Sequence, residues 1–445
     1  MKKNDNMLWR FFASVKLALI TLFILASTSI IGTLIPQKNP PAFYIKEFGP
    51  ELGRLFQILD LADMYNSWWF VAILALFSIN LIICTIDRLP NVWRMVVMDN
   101  LRQPIDTLAK MPFRSSFLIT GEMATATATV KKIMTDGGWK AKADEKENST
   151  LLFSQKQAWC RLGVYAVHLS ILLIFAGAII GTVAGYKGSI MIPEGGSTDK
   201  IYQYGTNKPI PLGFEVRCDS FKLTLYDSGM PKEYRSDLTV MDRSNNLSFS
   251  KSIIVNDPLD YRGITFYQAS YDALQGLKVE IYNKKTGRQQ GFEIPFGQKT
   301  SWPGTKVEFG IINMQQTRGM ARLKVWFSDG SGNPETFWMD GDTTRTLVSP
   351  DGEYEFYASQ LYATGLQVTK DPGVWTVYFG CILMLVGLYV AFFLSHRRIW
   401  VYINKEDGQC RVLVCGTSSK NKLGFEKDFS ALSERFRQND TIQTT

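Results

Sequence analysis

The chain contains very little histidine and no thiol pair of the redox type. Only two histidines, His168 and His396, occur among 445 residues, and the predicted helix of His168 offers no second His, Cys or carboxylate at metal-ligand spacing. The six cysteines include no Cys-x-x-Cys pair, which excludes a thioredoxin-like oxidoreductase. No nucleophile–base–orienter arrangement is recognisable either. These absences favour binding and positioning over acid–base or dithiol chemistry.

Charged residues are missing from four long apolar stretches. No Asp, Glu, Lys or Arg lies in residues 17–35, 68–86, 162–183 or 374–394. Each stretch has roughly the 20 residues that a helix needs to cross about 30 Å of hydrocarbon. The sequence therefore predicts an α-helical integral membrane protein with four transmembrane helices. A secretory signal is not indicated, because the first apolar run is too long and no small-residue cleavage site follows it.

Lysine and arginine are concentrated at one end of each predicted span. The first span is preceded by Lys2, Lys3, Arg10 and Lys16, and the third by Lys156 and Arg161. The second span is followed by Arg88, Arg94 and Arg102, and the fourth by Arg397 and Arg398. The positive-inside rule then predicts that both termini are cytoplasmic. The net charge of +8 mostly reflects this bias. No aromatic-and-basic binding module accompanies it, so a nucleic-acid partner is not indicated.

The segments between the spans differ in composition. Residues 1–35 are the cytoplasmic N-terminus and the first span, and an outer loop covers 36–67. After the second span (68–86) a cytoplasmic α+β segment covers 87–161. The third span is followed by a large extracytoplasmic β-rich domain at 184–373. There, alternating stretches such as FEVRCDSFKLTLY and LKVEIYN, separated by glycine turns, predict a sandwich or a meandering sheet. The last segment, 395–445, is expected to be a cytoplasmic tail that is disordered after about Lys420.

His168 lies inside the third predicted span, about six residues from its cytoplasmic end. At 100° per residue its helix face is shared by Val164, Ile171, Leu172, Phe175, Ile179 and Thr182. The opposite face carries Gly177, Gly181 and Gly185, a ridge that another helix is expected to approach. An ionisable group within a span is a functional candidate. Three interpretations remain open, namely a hydrogen bond to a neighbouring helix, ligation of haem iron or another metal, and a proton relay.

Three other features have structural and functional interpretations. His396, in LSHRRIW after the fourth span, is predicted to reach the lipid headgroups beside Arg397, Arg398 and Trp400. Cys218 is the only cysteine of the outer segments, and we expect a buried strand cysteine, with thiol exchange as the alternative. The aromatic residues of YRGITFYQASY, at 261–271, are expected in a core, with a surface for haem or a polypeptide as the alternative.

Four motifs in order resemble the ResB/CcsB family of cytochrome c biogenesis proteins. They are DMYNSWWFVAILALFSINLIICTIDRLP (63–90), VYAVHLSILLIFAGAIIG (164–181), VNDPLDYRGITFYQASY (255–271) and DPGVWTVYFGCILMLVGLYVAFFLSHRRIWV (371–401). The four-span layout with a large domain between the third and fourth spans is similar as well. The resemblance covers nearly the whole chain.

The resemblance implies a subunit of the System II cytochrome c synthase in the bacterial cytoplasmic (inner) membrane, with its large domain in the periplasm. Such a subunit works with a CcsA/ResC-type partner. Together they carry haem b, as a transported substrate, to apocytochrome c and its Cys-x-x-Cys-His motif, and a thioredoxin-like thiol reductant is a further possible partner. His168 would be one axial haem ligand, with Val164, Leu172 and Phe175 as a wall facing the haem. The alternative is a membrane-anchored scaffold whose β domain binds apocytochrome or a thiol reductant without ligating haem.

Overall fold

The fold was analysed in a computed structural model that describes residues 6–226, 228, 230–317, 320–350, 352–406, 408–439 and 441–444. The α-helices in this part of the chain are α1 (Met7–Phe12), α2 (Val15–Leu34), α3 (Pro41–Phe48), α4 (Pro50–Ile58), α5 (Trp68–Val97), α6 (Ile105–Ala109), α7 (Met123–Asp136), α8 (Gly163–Ala184), α9 (Val374–Phe393) and α10 (Lys422–Arg437). Short 3₁₀ helices cover Leu61–Asn66 and Ala158–Leu162.

The strands fall into three groups along the chain. The first group is β1 (Phe113–Thr120), β2 (Lys142–Lys146) and β3 (Ser149–Lys156). Between α8 and α9 lie β4 (Tyr186–Pro193), β5 (Ser197–Gln203), β6 (Pro209–Leu225), β7 (Pro231–Asp242), β8 (Leu247–Ile253), β9 (Leu259–Tyr261), β10 (Ile264–Asn283), β11 (Arg288–Pro295), β12 (Lys299–Ser301), β13 (Glu308–Thr317), β14 (Met320–Ser328), β15 (Glu335–Asp340), β16 (Thr343–Ser349) and β17 (Gly352–Lys370). After α9 come β18 (Arg397–Glu406), β19 (Gln409–Ser418) and β20 (Ile442–Thr444).

Four helices are long and apolar enough to cross a membrane. By length and composition they are Val15–Leu34, Trp68–Val97, Ala158–Ala184 and Val374–Phe393. Large apolar side chains cover their outer surfaces, and Phe23, Ile179 and Phe379 are each at least 60% exposed. Apolar surface of this kind is stable next to lipid and unfavourable in water.

The chain divides into two compact units. One unit combines residues 1–178 with 375–445, and the other contains 179–374. The boundary therefore falls inside α8, which begins in the first unit and ends in the second.

An antiparallel sheet of six strands belongs to the first unit. Its order is β2-β3-β18-β19-β1-β20, so strands that precede α8 alternate with strands that follow α9. Helices α7 and α10 cover one face, where Phe117, Val130, Val401 and Phe436 are among the fully buried residues. The other face packs Leu108 of α6 against Phe153 and Trp400.

The sheet joins two distant segments and corrects one expectation. The strands of 87–161 pair with β18, β19 and β20, which follow α9. The expectation that the chain is disordered after about Lys420 is wrong for the described residues. Helix α10 begins after an N-cap at Asn421, whose side chain accepts a hydrogen bond from Gly424 N–H, and its Phe425, Phe429 and Phe436 are buried.

The second unit is β-rich, as its alternating pattern predicts. A sheet of order β11-β10-β17-β4-β5-β6-β7-β8 is accompanied by a smaller sheet of order β12-β13-β14-β15. The long strands β10 and β17 contribute to two separate cores, one around Phe266 and Val368 and the other around Val279 and Phe356. Register shifts at Gln268/Ser270 and Ala273/Leu277 lie between them. Such bulges bend a strand, which explains how one strand serves two cores.

Candidate functional site

The candidate site lies where α8 packs against α5, near the start of α8. His168 is the sixth residue of α8. Ile171 and Phe175, one and two turns further along, pack against a cluster that includes Phe70 and Phe77 of α5. The rings of Phe77 and Phe175 lie 6.4 Å apart at 63°. Because residues i, i+3 and i+7 share one helix face, this packing turns His168 towards α5 as well.

A hydrogen bond joins the imidazole to Thr85 of α5. The hydroxyl oxygen of Thr85 lies 2.9 Å from Nδ1 of His168, and the same hydroxyl lies 2.7 Å from the backbone oxygen of Leu81. A threonine hydroxyl has one proton, and a carbonyl oxygen can only accept. The hydroxyl therefore donates to Leu81 and accepts from His168, so the proton of the neutral ring is on Nδ1 and the lone pair is on Nε2.

The second ring nitrogen is open. Within the described residues, Nε2 of His168 makes no hydrogen bond, and it is not a polar atom sealed inside the protein. Tyr165, one turn earlier, stands edge-on to the imidazole at 5.9 Å between ring centres. Hydrocarbon offers no hydrogen bond to a nitrogen lone pair, so Nε2 of His168, on a helix apolar enough to cross a membrane, is the candidate ligand atom of this site.

The three predicted wall residues have different surroundings. Phe175 is partly buried in the contact with α5. Leu172 is half-buried, and Val164 is 47% exposed. The apolar surface beside His168 is thus formed mainly by Val164 and Leu172, while Phe175 holds α8 against α5.

Glycines set the contact between α8 and α9, but at different positions from the predicted ridge. A Cβ at Gly387 of α9 would lie 2.9 Å from Val167 Cγ2 and 3.0 Å from Val167 N, and one at Gly380 would lie 2.7 Å from Ile174 Cγ1. At the predicted ridge, a Cβ on Gly181 would meet the Asp371 side chain, and one on Gly185 would meet the Lys370 backbone. Gly181 and Gly185 therefore accommodate the segment before α9 and not a helix.

The prediction that His396 reaches lipid headgroups is wrong. His396 is 1% exposed and Trp400 is also 1% exposed. Nε of Arg161 donates to Nδ1 of His396 at 2.8 Å, and Nε2 of His396 lies 2.9 Å from the Gln155 amide oxygen. His396, which follows α9, is thus hydrogen-bonded to Gln155 of β3 and to Arg161 of the 3₁₀ helix before α8. Burial, followed by the charges of Arg161 and Arg398, lowers the pKa of His396 to about 4.

Cys218 and most of the aromatic residues of YRGITFYQASY lie in a core of the second unit. Cys218 is fully buried in β6, and burial, with the Glu194 carboxylate as a smaller cause, raises the pKa of its thiol to about 12. Such a thiol is almost wholly protonated at neutral pH, which disfavours thiol exchange. In β10, Phe266 is fully buried and Tyr271 packs on Phe221, whereas Tyr267 is 38% exposed.

Sequence reasoning missed the partners of both histidines. Thr85 is seventeen residues into α5, in a stretch that reads only as membrane-spanning. The sequence did contain one signal, because a polar residue in one span, such as Thr85, can hydrogen-bond to an ionisable residue in another span. No group of three or more His, Cys, Asp or Glu side chains suited to a metal ion occurs in the described ranges.

Comparisons with known proteins agree with the resemblance. A family model described as the ResB-like family matches residues 15–346 and 333–430. The cytochrome c biogenesis protein CcsB of Gloeobacter violaceus is 30% identical over 441 residues, covering 93% of this chain and 88% of that protein. The cytochrome c biogenesis protein Ccs1 of Porphyra purpurea is 26% identical over 463 residues, covering 97% and 98%. CcsB of Microcystis aeruginosa is 27% identical over 442 residues, covering 96% and 94%.

Proposed function

The chain belongs to the ResB-like family, and from this membership we propose that it is a membrane subunit of the System II cytochrome c synthase. With a CcsA/ResC-type partner, it holds haem b as a substrate and passes it outward for attachment to apocytochrome c. The family match and relatives named as cytochrome c biogenesis proteins support the biological process. The haem role rests on the site.

The hydrogen bond between Thr85 and His168 is the observation that carries the haem role. It leaves Nε2 with a free lone pair, which is what an axial ligand of haem iron requires. It also fixes the ring orientation, as an outer hydrogen bond does for ligating histidines generally. Haem supplies the iron and the vinyl groups that form thioether bonds. Thr85 orients the imidazole, and the Phe77–Phe175 contact sets the helix that presents it.

The arrangement of the first unit supports the proposed topology. The six-stranded sheet joins residues 113–156 to residues 397–444, which supports placing both segments on one side of the membrane. Trp9 Nε1 donates to Asp87 Oδ1 at 3.3 Å, so α1 contacts the C-terminal half of α5, the half that precedes residues 113–156 in the chain. Together with the basic residues there, these contacts favour cytoplasmic termini and a periplasmic β domain in the bacterial cytoplasmic membrane.

The partner must supply the remaining haem ligands. Neither histidine of the chain lies in residues 184–373, so the β domain has no imidazole for haem on the outer side. Within the described residues, Nε2 of His168 is the only histidine nitrogen left without a hydrogen bond. One chain therefore offers one axial ligand, and the proposal places the second on the CcsA/ResC-type subunit.

A visible spectrum of the full chain purified with this partner tests the proposal. We expect a Soret band in the wild type, loss of the band in His168→Gly, and its return when imidazole is added. His396→Gln is the matched control, because it removes the other histidine and should leave the band intact. A full-intensity Soret band in His168→Gly without imidazole would refute axial ligation by this residue.

The scaffold alternative, without haem ligation, is favoured by one observation. The Thr85 contact already satisfies one nitrogen of His168, as a purely structural histidine would be satisfied. In this case His168→Gly would leave cytochrome assembly intact, and the full chain would bind a Cys-x-x-Cys-His peptide with unchanged affinity in the variant. The buried thiol of Cys218 gives no support to a thiol-exchanging scaffold.

A further inference from the structure

An arginine lies one helical turn from the hydrogen-bond partner of His168. Arg88 follows Thr85 by three residues on α5, so the two residues share one helix face and are separated by about 4.5 Å along the axis. Because the Thr85 hydroxyl lies 2.9 Å from Nδ1 of His168, the Arg88 side chain starts from the turn of α5 next to the one that contacts the imidazole.

The guanidinium has no acidic partner within the described residues. Arg88 is exposed and forms neither an ion pair nor a side-chain hydrogen bond there. The neighbouring carboxylate of Asp87 instead accepts a hydrogen bond from Trp9. A guanidinium presents parallel N–H donors that match a carboxylate, and near hydrocarbon such a charge is stable only with an anionic partner or in the interface.

Resting on the proposed function, we propose that Arg88 pairs with a propionate of the haem whose iron His168 ligates. A single axial ligand leaves the porphyrin free to rotate about the iron–nitrogen bond, so a second contact is needed to orient it. Arg88 is displaced from Thr85 towards the end of α5 that joins the six-stranded sheet. The propionate edge then faces this end, and the vinyl edge, which lies across the porphyrin, faces the other.

This orientation has a chemical consequence. Thioether bonds form at the vinyl groups, and the proposed attachment takes place on the side of the β domain. Arg88 would therefore act as a positioning residue that turns the vinyl edge of the haem towards the side on which attachment takes place. Tyr165, whose ring stands edge-on to His168, would support the porphyrin face beside this imidazole.

Titration of the full chain in nanodiscs with haem and with haem dimethyl ester, followed at the Soret band, tests the assignment. We expect Arg88→Gln to bind haem roughly 10-fold more weakly than the wild type, as the loss of a charge-assisted hydrogen bond predicts, and to bind the ester with unchanged affinity. Arg88→Lys should recover part of the loss. Arg94→Gln, an exposed arginine further along α5, is the matched control and should bind both ligands normally.

The outcomes separate this inference from the haem role itself. If Arg88→Gln weakens haem and its ester equally, or weakens neither, the propionate contact is wrong. Loss of affinity in nanodiscs of anionic lipid but not in zwitterionic ones would assign Arg88 to phospholipid headgroups and overturn the inference. Both results leave ligation by His168 standing, because that depends on the separate loss of the Soret band in His168→Gly.

Discussion

Acid should destabilise the first unit through His396. This imidazole is buried and accepts a hydrogen bond from Arg161, whose Nε carries a proton that cannot be given up. Protonation of Nδ1 would remove this hydrogen bond and place two positive charges in contact. It would also disturb Gln155, whose amide oxygen is hydrogen-bonded to His396. The amide nitrogen of Gln155 donates to the backbone oxygen of Val96 near the end of α5, so this contact between β3 and α5 would weaken as well.

The size of the effect follows from the pKa. In the unfolded chain histidine titrates near pH 6.5, whereas in the folded chain the pKa of His396 is lowered to about 4, first by burial and then by Arg161 and Arg398. Between these values the unfolded state binds more protons, so the free energy of unfolding falls as the pH falls. The contribution is fully present above pH 6.5 and is lost as the pH falls through about 4. It amounts to at most about 3 kcal/mol, because each pKa unit corresponds to about 1.4 kcal/mol.

Unfolding of the full chain in nanodiscs at pH values from 7.5 to 4.5 measures this effect. Carboxylates also titrate in this range, so the difference between wild type and His396→Gln is the quantity to compare. Glutamine can accept from Arg161 but does not titrate, and we expect the advantage of the wild type to shrink as the pH falls. His168→Gln retains His396 and should follow the wild type. Parallel stability curves for wild type and His396→Gln would refute the reasoning.

Three further predictions concern other parts of the chain. Thr85→Val should weaken haem binding about 10-fold, as loss of an outer hydrogen bond to a ligating histidine does. The control Thr28→Val on α2 should leave haem binding unchanged. Equal affinities of Thr85→Val and wild type in a Soret titration would contradict the orienting role of Thr85. Gly387→Val should lower the free energy of unfolding by about 1–3 kcal/mol, because its Cβ would meet the Val167 backbone. The control Cys381→Val, on the exposed side of α9, should have little effect. Similar melting temperatures for Gly387→Val and wild type would contradict the close contact between α8 and α9. Phe436→Ala should cost about 3–5 kcal/mol, since this ring is fully buried and stacked on Phe117, and an unchanged stability would mean that α10 does not pack there.

Local patterns predicted the elements of the fold that depend on local sequence. Four apolar runs predicted the four long helices, and alternation predicted strands such as FEVRCDSFKLTLY, which lies within β6 except for its last residue, Tyr226. Hydrophobic periodicity contains this information because one face of a helix or strand must be buried. For His168, helix geometry placed Phe175 on the same face, and both residues do turn towards α5.

The errors concern residues whose partners are distant in sequence. His396 lies among basic and aromatic residues, a composition typical of a membrane interface, yet its partners Gln155 and Arg161 precede it by more than 230 residues. The same holds for the tail. Its phenylalanines at 425, 429 and 436 find a core only because β1 and β3 come from a segment before α8. Pairing across such separations leaves no periodic signal in either segment alone.

The two histidines form an internal comparison that bears on which one can bind iron. At His396, Arg161 can only donate, so Nδ1 accepts, and Nε2 carries the proton and donates a hydrogen bond to the Gln155 oxygen. Both nitrogens are used, and ligation would require breaking a buried hydrogen bond. At His168, the Thr85 hydroxyl accepts a hydrogen bond from Nδ1–H, which leaves a lone pair at Nε2. Whether a histidine has a nitrogen free to ligate therefore depends on how many of its ring nitrogens are hydrogen-bonded, which is two at His396 and one at His168 within the described residues. Thr85 is the residue that makes this difference, so its substitution tests the mechanism more directly than any change of the apolar wall.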